Sequence, residues 1–363
     1  MDALMRIEEG AYANLVLPAF LDRSRLESRD RAFATDLVYG TTRMRRACDW
    51  LIDRYARGRL DSNVRVALRL GVYQLVFLGT PPHAAVSATV EVAPVRARSL
   101  VNAVLRRVAD GPVEYPDEAT ALSYPDWVLE RLSDDLGAEP ARAALAAMNR
   151  PPEVTRRPDG YVQDLASQWV AAAVEVEPGD RVLDLCAAPG GKATAMAHGS
   201  AALVAASDVS VARLSLITGN ARAVGTHNVA VVGADGTAPP YRPRAFDRVL
   251  VDAPCSGLGV LRRRPDARWR IDADDVDRLA QLQHRLIDAA VPLVRPGGTL
   301  VYSVCTLTAA ETIGVDEGVA ARHPELIALP RPEGPWEPAG RGARLLPQTA
   351  DTDGMFILRL RTP

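Results

Sequence analysis

Lysine is almost absent from this chain of 363 residues. Of its 43 basic side chains, only Lys192 is not arginine. A compact ammonium has no planar substitute in a tight site, so the one lysine that survives is a candidate functional residue. Cysteine is scarce as well. Cys48, Cys186, Cys255 and Cys305 are widely spaced, which argues against a disulfide framework and leaves no pair at metal-ligand spacing. No metal is expected. No apolar run reaches the ~18–20 residues that cross a bilayer, so no membrane partner is expected. The opening residues, Met1 to Arg6, lack a signal-peptide pattern, and a cytoplasmic location is the expectation. No internal repeat or low-complexity stretch stands out. A net charge of −2 rules out a molecule that traps nucleic acid by its overall field. The charge is uneven, however: residues 1–109 hold 17 arginines against 11 acids.

The stretch that organises the rest is Val182–Ala195, VLDLCAAPGGKATA. A short apolar run, a glycine turn and an alanine-rich helical segment open a nucleotide-type α/β domain. The glycines let the backbone approach a ligand that a Cβ would hold off. The turn fits neither GxGxxG nor GxxxxGK[ST], so no pyrophosphate cradle is implied.

Residues 1–130 read as helices. Ser99–Val108 places Leu100, Val101, Val104, Leu105 and Val108 on one face. Arg65–Leu78 is a more apolar helix, and Arg31–Ile52 carries a further apolar stripe. Pro81-Pro82 breaks the chain between two of these helices. No catalytic constellation is visible here, and a helical bundle with a basic face suggests RNA docking. Residues 131–160 read as a connector rich in proline, with helices over Tyr124–Leu136 and Pro140–Met148. Tyr161–Val174 is a helix that opens the domain of residues 161–363.

From Arg181 onward strands and helices alternate as in a doubly wound sheet. Strands are expected over Arg181–Leu185, Leu203–Ser207, Val229–Val232, Phe246–Asp252 and Gly298–Val304, with at least one more at Met355–Leu360. Helices are expected over Val211–Val224 and Val276–Val291. Asp184, Asp208, Asp235, Asp252 and Cys305 all fall at strand ends, where open α/β sheets bind ligands. Asp208, after the second strand, suits a ribose diol. Asp235 suits an adenine amino group. With no second phosphate-binding feature, S-adenosylmethionine is favoured over NAD or ATP.

Cys255 and Cys305 carry thiol chemistry at neighbouring strand ends. Cytosine C5 is too weak a nucleophile to take a methyl group directly. A thiolate added at C6 creates an enamine that is strong enough, and this needs one activated thiol, a group that polarises the ring and a base. Asp252 is placed for the N3 and amino edge of the base, a contact that asks for a proton on its carboxyl in the adduct. Arg262, Arg263, Arg264 and Arg268, with Trp269, follow the Cys255 loop and are expected to grip RNA phosphates, with Trp269 stacking or packing. The target base must leave any helix to reach the thiols.

Two resemblances sharpen this reading. RAFATDLVYGTTR (31–43), LRLGVYQLVFL (68–78), PHAAVSATVEV (82–92) and LVNAVLR (100–106) resemble the NusB-like RNA-binding domain that opens the RsmB (Sun/Fmu) group of bacterial rRNA methyltransferases. DLCAAPGGK, SDVS, GADGT, DRVLVDAPCSGLGVLRRRPDARW and PGGTLVYSVCTL resemble the NOL1/NOP2/Sun family of RNA cytosine-C5 methyltransferases. The resemblance implies an all-α NusB-like domain followed by a Rossmann-like, S-adenosylmethionine-dependent methyltransferase domain. It implies that Cys305 is the nucleophile, that Cys255 assists release of the adduct, and that Asp252 and Lys192 serve the base and the cofactor. It implies cofactor contacts from Cys186, Ala187, Ala188, Pro189, Gly190, Gly191, Lys192, Asp208, Asp235 and Asp252. RNA is the implied partner, with small-subunit rRNA as substrate and cytosine 967 of 16S rRNA as its target; no obligate protein partner is evident. DNA cytosine methyltransferases use the Pro-Cys cysteine as nucleophile, so Cys255 stays the rival for that role. A tRNA cytosine-C5 methyltransferase and a non-catalytic RNA-binding factor of the NusB kind stay open as alternatives.

The chain departs from the family pattern twice. Val304 stands where the family usually has threonine before the nucleophile. An RNA-recognition-like module, carried by the RsmB group between the two domains, is missing: Asn149-Arg150-Pro151-Pro152 runs almost directly into Gly160-Tyr161.

Overall fold

The apolar stripe of residues 99–108 is realised as the helix Arg98–Asp110, whose Val101, Val104, Leu105 and Val108 are buried. The computed structural model describes every residue except Ser200 and falls into two units. The first comprises Met1–Glu130, Asn149–Pro151 and Leu261–Arg270; the second holds Arg131–Met148, Pro152–Val260 and Ile271–Pro363.

The first unit is helical. Met44 leaves helical geometry, so the stripe expected as one helix over 31–52 is two, Ser28–Arg43 and Arg45–Asp53. The helix expected over 65–78 runs from Ser62 to Val72 and then widens into a π-turn over Tyr73–Phe77. Its Gly71 sits against Leu105, whose Cδ1 would lie 2.5 Å from an added Cβ. The absent side chain is what lets this helix approach Arg98–Asp110 closely. Leu51, Ile52, Ala67, Leu68, Val72, Val101 and Leu105 form the core.

The second unit is built on one nine-stranded sheet. Its strands are β1 (Arg181–Asp184), β2 (Leu203–Asp208), β3 (Val229–Gly233), β4 (Phe246–Asp252), β5 (Val294–Val304), β6 (Ile327–Ala328), β7 (Glu337–Ala339), β8 (Gly342–Leu345) and β9 (Met355–Arg361). They lie in the order β3-β2-β1-β4-β5-β9-β8-β7, with β6 paired to β9. β1 to β5 are parallel to one another, and β9 runs antiparallel to β5. Alternate residues feed two apolar layers, Val182, Val204, Ala206, Leu250 and Val301 on one face and Leu183, Ala205, Val249, Val251 and Leu300 on the other. A sheet covered on both faces has this near-continuous apolar strand pattern. β1 lies between β2 and β4, so the strand order reverses there and a crevice opens at the carboxyl ends of β1 and β4.

The helix Ala273–Ala290 starts on a capping box of Asp272 and Asp275. The helix expected over 161–174 is confined to Leu165–Ala172, because Asp164 caps it by accepting from the Ala166 N–H. Ahead of it Val162 makes an isolated bridge with Arg156. That bridge is the only regular pairing between the end of the helix Ala138–Ala147 and Leu165. Among the described residues, no helix is long and apolar enough to cross a membrane.

Candidate active site

Three strand ends supply the site. β4 ends in Asp252 and runs into Ala253-Pro254-Cys255-Ser256. β5 ends in Ser303-Val304 and runs into Cys305. Because β4 and β5 are parallel and in register, with Asp252 opposite Ser303, the loops after them leave the sheet side by side. The Sγ atoms of Cys255 and Cys305 are 3.2 Å apart, although 50 residues separate them in sequence. β1 ends in Asp184 and passes through the glycine turn into the helix Gly191–His198, which carries Lys192.

Lys192 donates to Asp252 Oδ2 at 2.6 Å, and Ser303 Oγ donates to Asp252 Oδ1 at 2.6 Å. Burial alone would lower the lysine pKa, but the Asp252 carboxylate more than offsets it, and the ammonium is held above its ordinary value. Charge on the Cys305 sulfur adds to this. Cys255 is treated differently. Its hydrogen bond with Cys305 and its burial push its pKa well up, with the charge of Glu311 adding to them. These effects hold Cys255 toward its thiol form.

The turn is built for close approach. Gly190 has φ +103° and an added Cβ would press on Ile217 at 3.1 Å. Asp208 is buried and accepts the N–H groups of Ala188 (3.2 Å) and Ser210 (2.9 Å), with Arg213 3.5 Å away. Asp208, expected at a ribose diol, thus braces the turn instead, though a carboxylate has about four acceptor sites and keeps capacity for a ligand. Asp235 is exposed just past β3, and its Oδ1 accepts the Thr237 N–H and hydroxyl, which hold its pKa down. Asp184 is buried and neither carboxylate oxygen has a well-formed hydrogen bond, the Cys186 N–H being the one donor beside it. Burial, then the nearby Asp252, raise its pKa to about 8. Cys186 is also driven upward by burial and by Asp184. A thiol so placed stays neutral and unreactive.

Comparisons with known proteins give the family. A family model described as 16S rRNA methyltransferase RsmB/F matches residues 171–361, and one for the NusB family matches residues 1–110. The chain belongs to the RsmB/F family of 16S rRNA methyltransferases. It is 37% identical to the ribosomal RNA small subunit methyltransferase B of Thermus thermophilus, over 99% of this chain and 95% of that protein. It is 30% identical to the protein of the same name from Yersinia pseudotuberculosis, over 98% and 95%. That second alignment runs over 415 positions against the 363 residues here, so the relative carries segments this RsmB/F chain lacks. In fold, the crystal structure of PH0851 superposes with a TM-score of 0.82 at 22% identity, covering 99% of this chain and 96% of that one. NSun6 from Pyrococcus horikoshii, solved with SFG, is 31% identical over 56% of this chain and 53% of its own, with a TM-score of 0.52.

The arginine run after the Cys255 loop needs correcting. Arg262 and Arg268 are 1% and 0% exposed, so neither can grip a phosphate. Both lie in the helical unit. The Arg268 guanidinium stacks 3.8 Å over the Tyr124 ring and donates to Ser123 O (3.1 Å) and Asn149 Oδ1 (3.0 Å). Burial lowers its pKa to about 10. The Trp269 indole donates to Thr42 O at 2.8 Å, Arg268 reaches Arg43 O at 3.4 Å, and Arg43 donates to Arg262 O at 2.9 Å. The segment therefore caps the carbonyl end of the helix Ser28–Arg43, where cations and donors are favoured. Of the residues assigned to RNA, Arg264 is exposed and Arg263 is half-buried. Charge counting could not separate these from Arg268. Val304 is fully buried in the apolar layer beside Phe356, where a branched apolar side chain packs without needing a partner. Sequence reasoning also missed Ser303, which orients Asp252, and Glu311, whose spacing from Cys305 follows no pattern that composition or periodicity would flag.

Proposed function

We propose that this chain is an S-adenosylmethionine-dependent RNA cytosine-C5 methyltransferase that acts in the cytoplasm on small-subunit rRNA, with cytosine 967 of 16S rRNA as its target. The observation that carries the reading is the sulfur pair at 3.2 Å beside the Lys192–Asp252 ion pair. An ordinary buried core offers no reason to bring together two thiols, an ammonium and a carboxylate.

The residues fit the cofactor. The buried Asp184 carboxyl has no well-formed hydrogen bond and lacks the counter-charge that a cationic ligand would supply, and the Cys186–Lys192 turn, Asp208, Asp235 and Asp252 complete the cofactor contacts. S-adenosylmethionine, when bound, supplies a methyl group activated by a positively charged sulfur. Cys305 acts as the nucleophile: its thiolate forms a bond to C6 of the flipped cytosine, and the C5=C6 electron pair becomes available at C5. Asp252 faces N3 and the amino group, and the Lys192 ammonium at 2.6 Å is a charged proton donor to that carboxylate. After methylation a base takes the C5 proton, the ring double bond re-forms and the Cys305 sulfur departs. Cys255, beside the bond that breaks, is assigned to this release. RNA contact by the former arginine run is left to Arg264 and Arg263.

Bisulfite sequencing of rRNA from a deletion strain tests the substrate: a lost signal at one small-subunit cytosine is expected, and an unchanged rRNA pattern with a lost tRNA signal moves the assignment to tRNA. Cys255→Ala is expected to accumulate a covalent RNA adduct, and Cys305→Ala to form none. The reverse would exchange the two roles. Calorimetry that finds no S-adenosylmethionine binding would favour a non-catalytic RNA-binding factor.

A further inference from the structure

Glu311 is 0% exposed. Its carboxylate is satisfied entirely by neutral donors. Oε1 accepts the Ser256 N–H at 2.8 Å and Gln283 Nε2 at 3.0 Å; Oε2 accepts the Ser256 hydroxyl at 2.5 Å and the Thr308 hydroxyl at 2.9 Å. These donors come from both thiol loops. Ser256 follows Cys255, and Thr308 lies three residues after Cys305. Two further ties close the arrangement: Ser256 Oγ and Thr306 Oγ1 are 2.7 Å apart, and Gln283 Nε2 also donates to Pro254 O at 2.9 Å. Tyr302, before Cys305, places its hydroxyl 2.7 Å from Glu311 O and 2.9 Å from Gln283 Oε1. Each cysteine is therefore flanked by residues that converge on one carboxylate, while its own side chain makes no bond to it. A buried carboxylate with four donors is costly to disturb, because any loop movement strands a donor away from water.

From this we infer that Glu311 is a positioning residue, the buried clasp that holds the Pro254–Ser256 and Cys305–Thr308 loops together and so fixes the separation of the two thiols. The inference rests on the proposed function for its consequence in catalysis, though not for its geometry.

Thiol spacing is measured without RNA or cofactor. Phenylarsine oxide condenses with two neighbouring thiols, forming two As–S bonds and releasing one water, with no change in oxidation state. Full-length wild-type protein is expected to bind it tightly, with Cys255→Ala as the single-thiol baseline. Glu311→Ala and the double variant Ser256→Ala/Thr308→Val are each expected to lose about tenfold or more in affinity, since small misplacements are costly for paired groups. Glu311→Gln, which keeps the shape and one carbonyl acceptor, is expected to stay within about threefold of wild type. Wild-type affinity in either disrupting variant overturns the inference; if Glu311→Ala does not fold, the double variant decides. In methyl transfer, Glu311→Ala should lower kcat about 100-fold or more with KM and cofactor affinity nearly unchanged. If wild-type protein methylates no RNA, the proposed function fails, and the arsenical comparison still decides the role of Glu311.

Discussion

Asp184 and Glu311 are both carboxylates buried in the catalytic unit, yet their surroundings are opposite. Glu311 takes four hydrogen bonds from neutral donors, whereas Asp184, at the end of β1, has no well-formed bond and only the Cys186 N–H beside it. A satisfied buried acid organises the protein around it. An unsatisfied one is a standing cost that a proton or a ligand relieves, and native structures keep few such groups without reason. On the proposed reading, the difference separates the region that shapes the thiols from the region that receives the cofactor.

Asp184→Asn is the sharpest way to break that comparison. Its folded carboxyl keeps a proton up to about pH 8, whereas the unfolded one loses it near pH 4. The unfolded state thus binds fewer protons between these values, and this group's contribution is complete at low pH and lost as pH rises toward 8. Urea midpoints without cofactor should therefore show the variant gaining on wild type across that window, by on the order of 1 kcal/mol per pH unit. Parallel curves would mean that Asp184 is not the strained acid. The same variant should bind S-adenosylmethionine about 30–100-fold more weakly, by loss of one charge-assisted contact, and wild-type affinity should climb as pH approaches 8. Calorimetry in buffers of different ionisation enthalpy would register the released proton.

Arg268→Met extends the contrast to a buried cation. Its guanidinium lies on carbonyl and amide oxygens and a tyrosine ring, with no carboxylate bonded to it. Losing it should cost about 2 kcal/mol by denaturant melting, since Ser123 O and Asn149 Oδ1 are left unpaired, with no change in the salt dependence of RNA binding. The smallest effect belongs to exposed Arg264. Arg264→Ala should leave stability within about 0.5 kcal/mol while reducing the salt slope of RNA affinity by about one. A reversed pattern for these two arginines would restore the original reading of the run as an RNA grip.

Much of the parallel sheet was legible because its strands are short apolar runs closed by polar residues. β4 was placed at Phe246–Asp252, and β2 and β3 to within a residue. The β7–β8 hairpin was not, since Glu337–Ala339 and Gly342–Leu345 are too brief to show a period. In the helical half the break at Met44 carries no glycine or proline to announce it. The cysteines, Lys192 and Asp252 could be singled out because they are rare residue types or sit at strand ends. Glu311 could not, because an acid among threonines looks the same whether it faces water or is the centre of a buried network. The arginines after Val260 misled for a related reason: charge in a sequence says nothing of whether a tyrosine ring and carbonyls wait to enclose it.

The decapeptide Leu261–Arg270 belongs to the helical unit although its codons lie deep within the methyltransferase half. The two units are therefore interleaved along the gene, and no single cut yields both intact. A fragment beginning at residue 161 would keep Arg268 and Trp269 but not Tyr124, Ser123 or Thr42, presenting a hydrophobic, cationic flap to solvent. Any lineage that swapped the N-terminal half for another would have had to rewrite these ten residues as well.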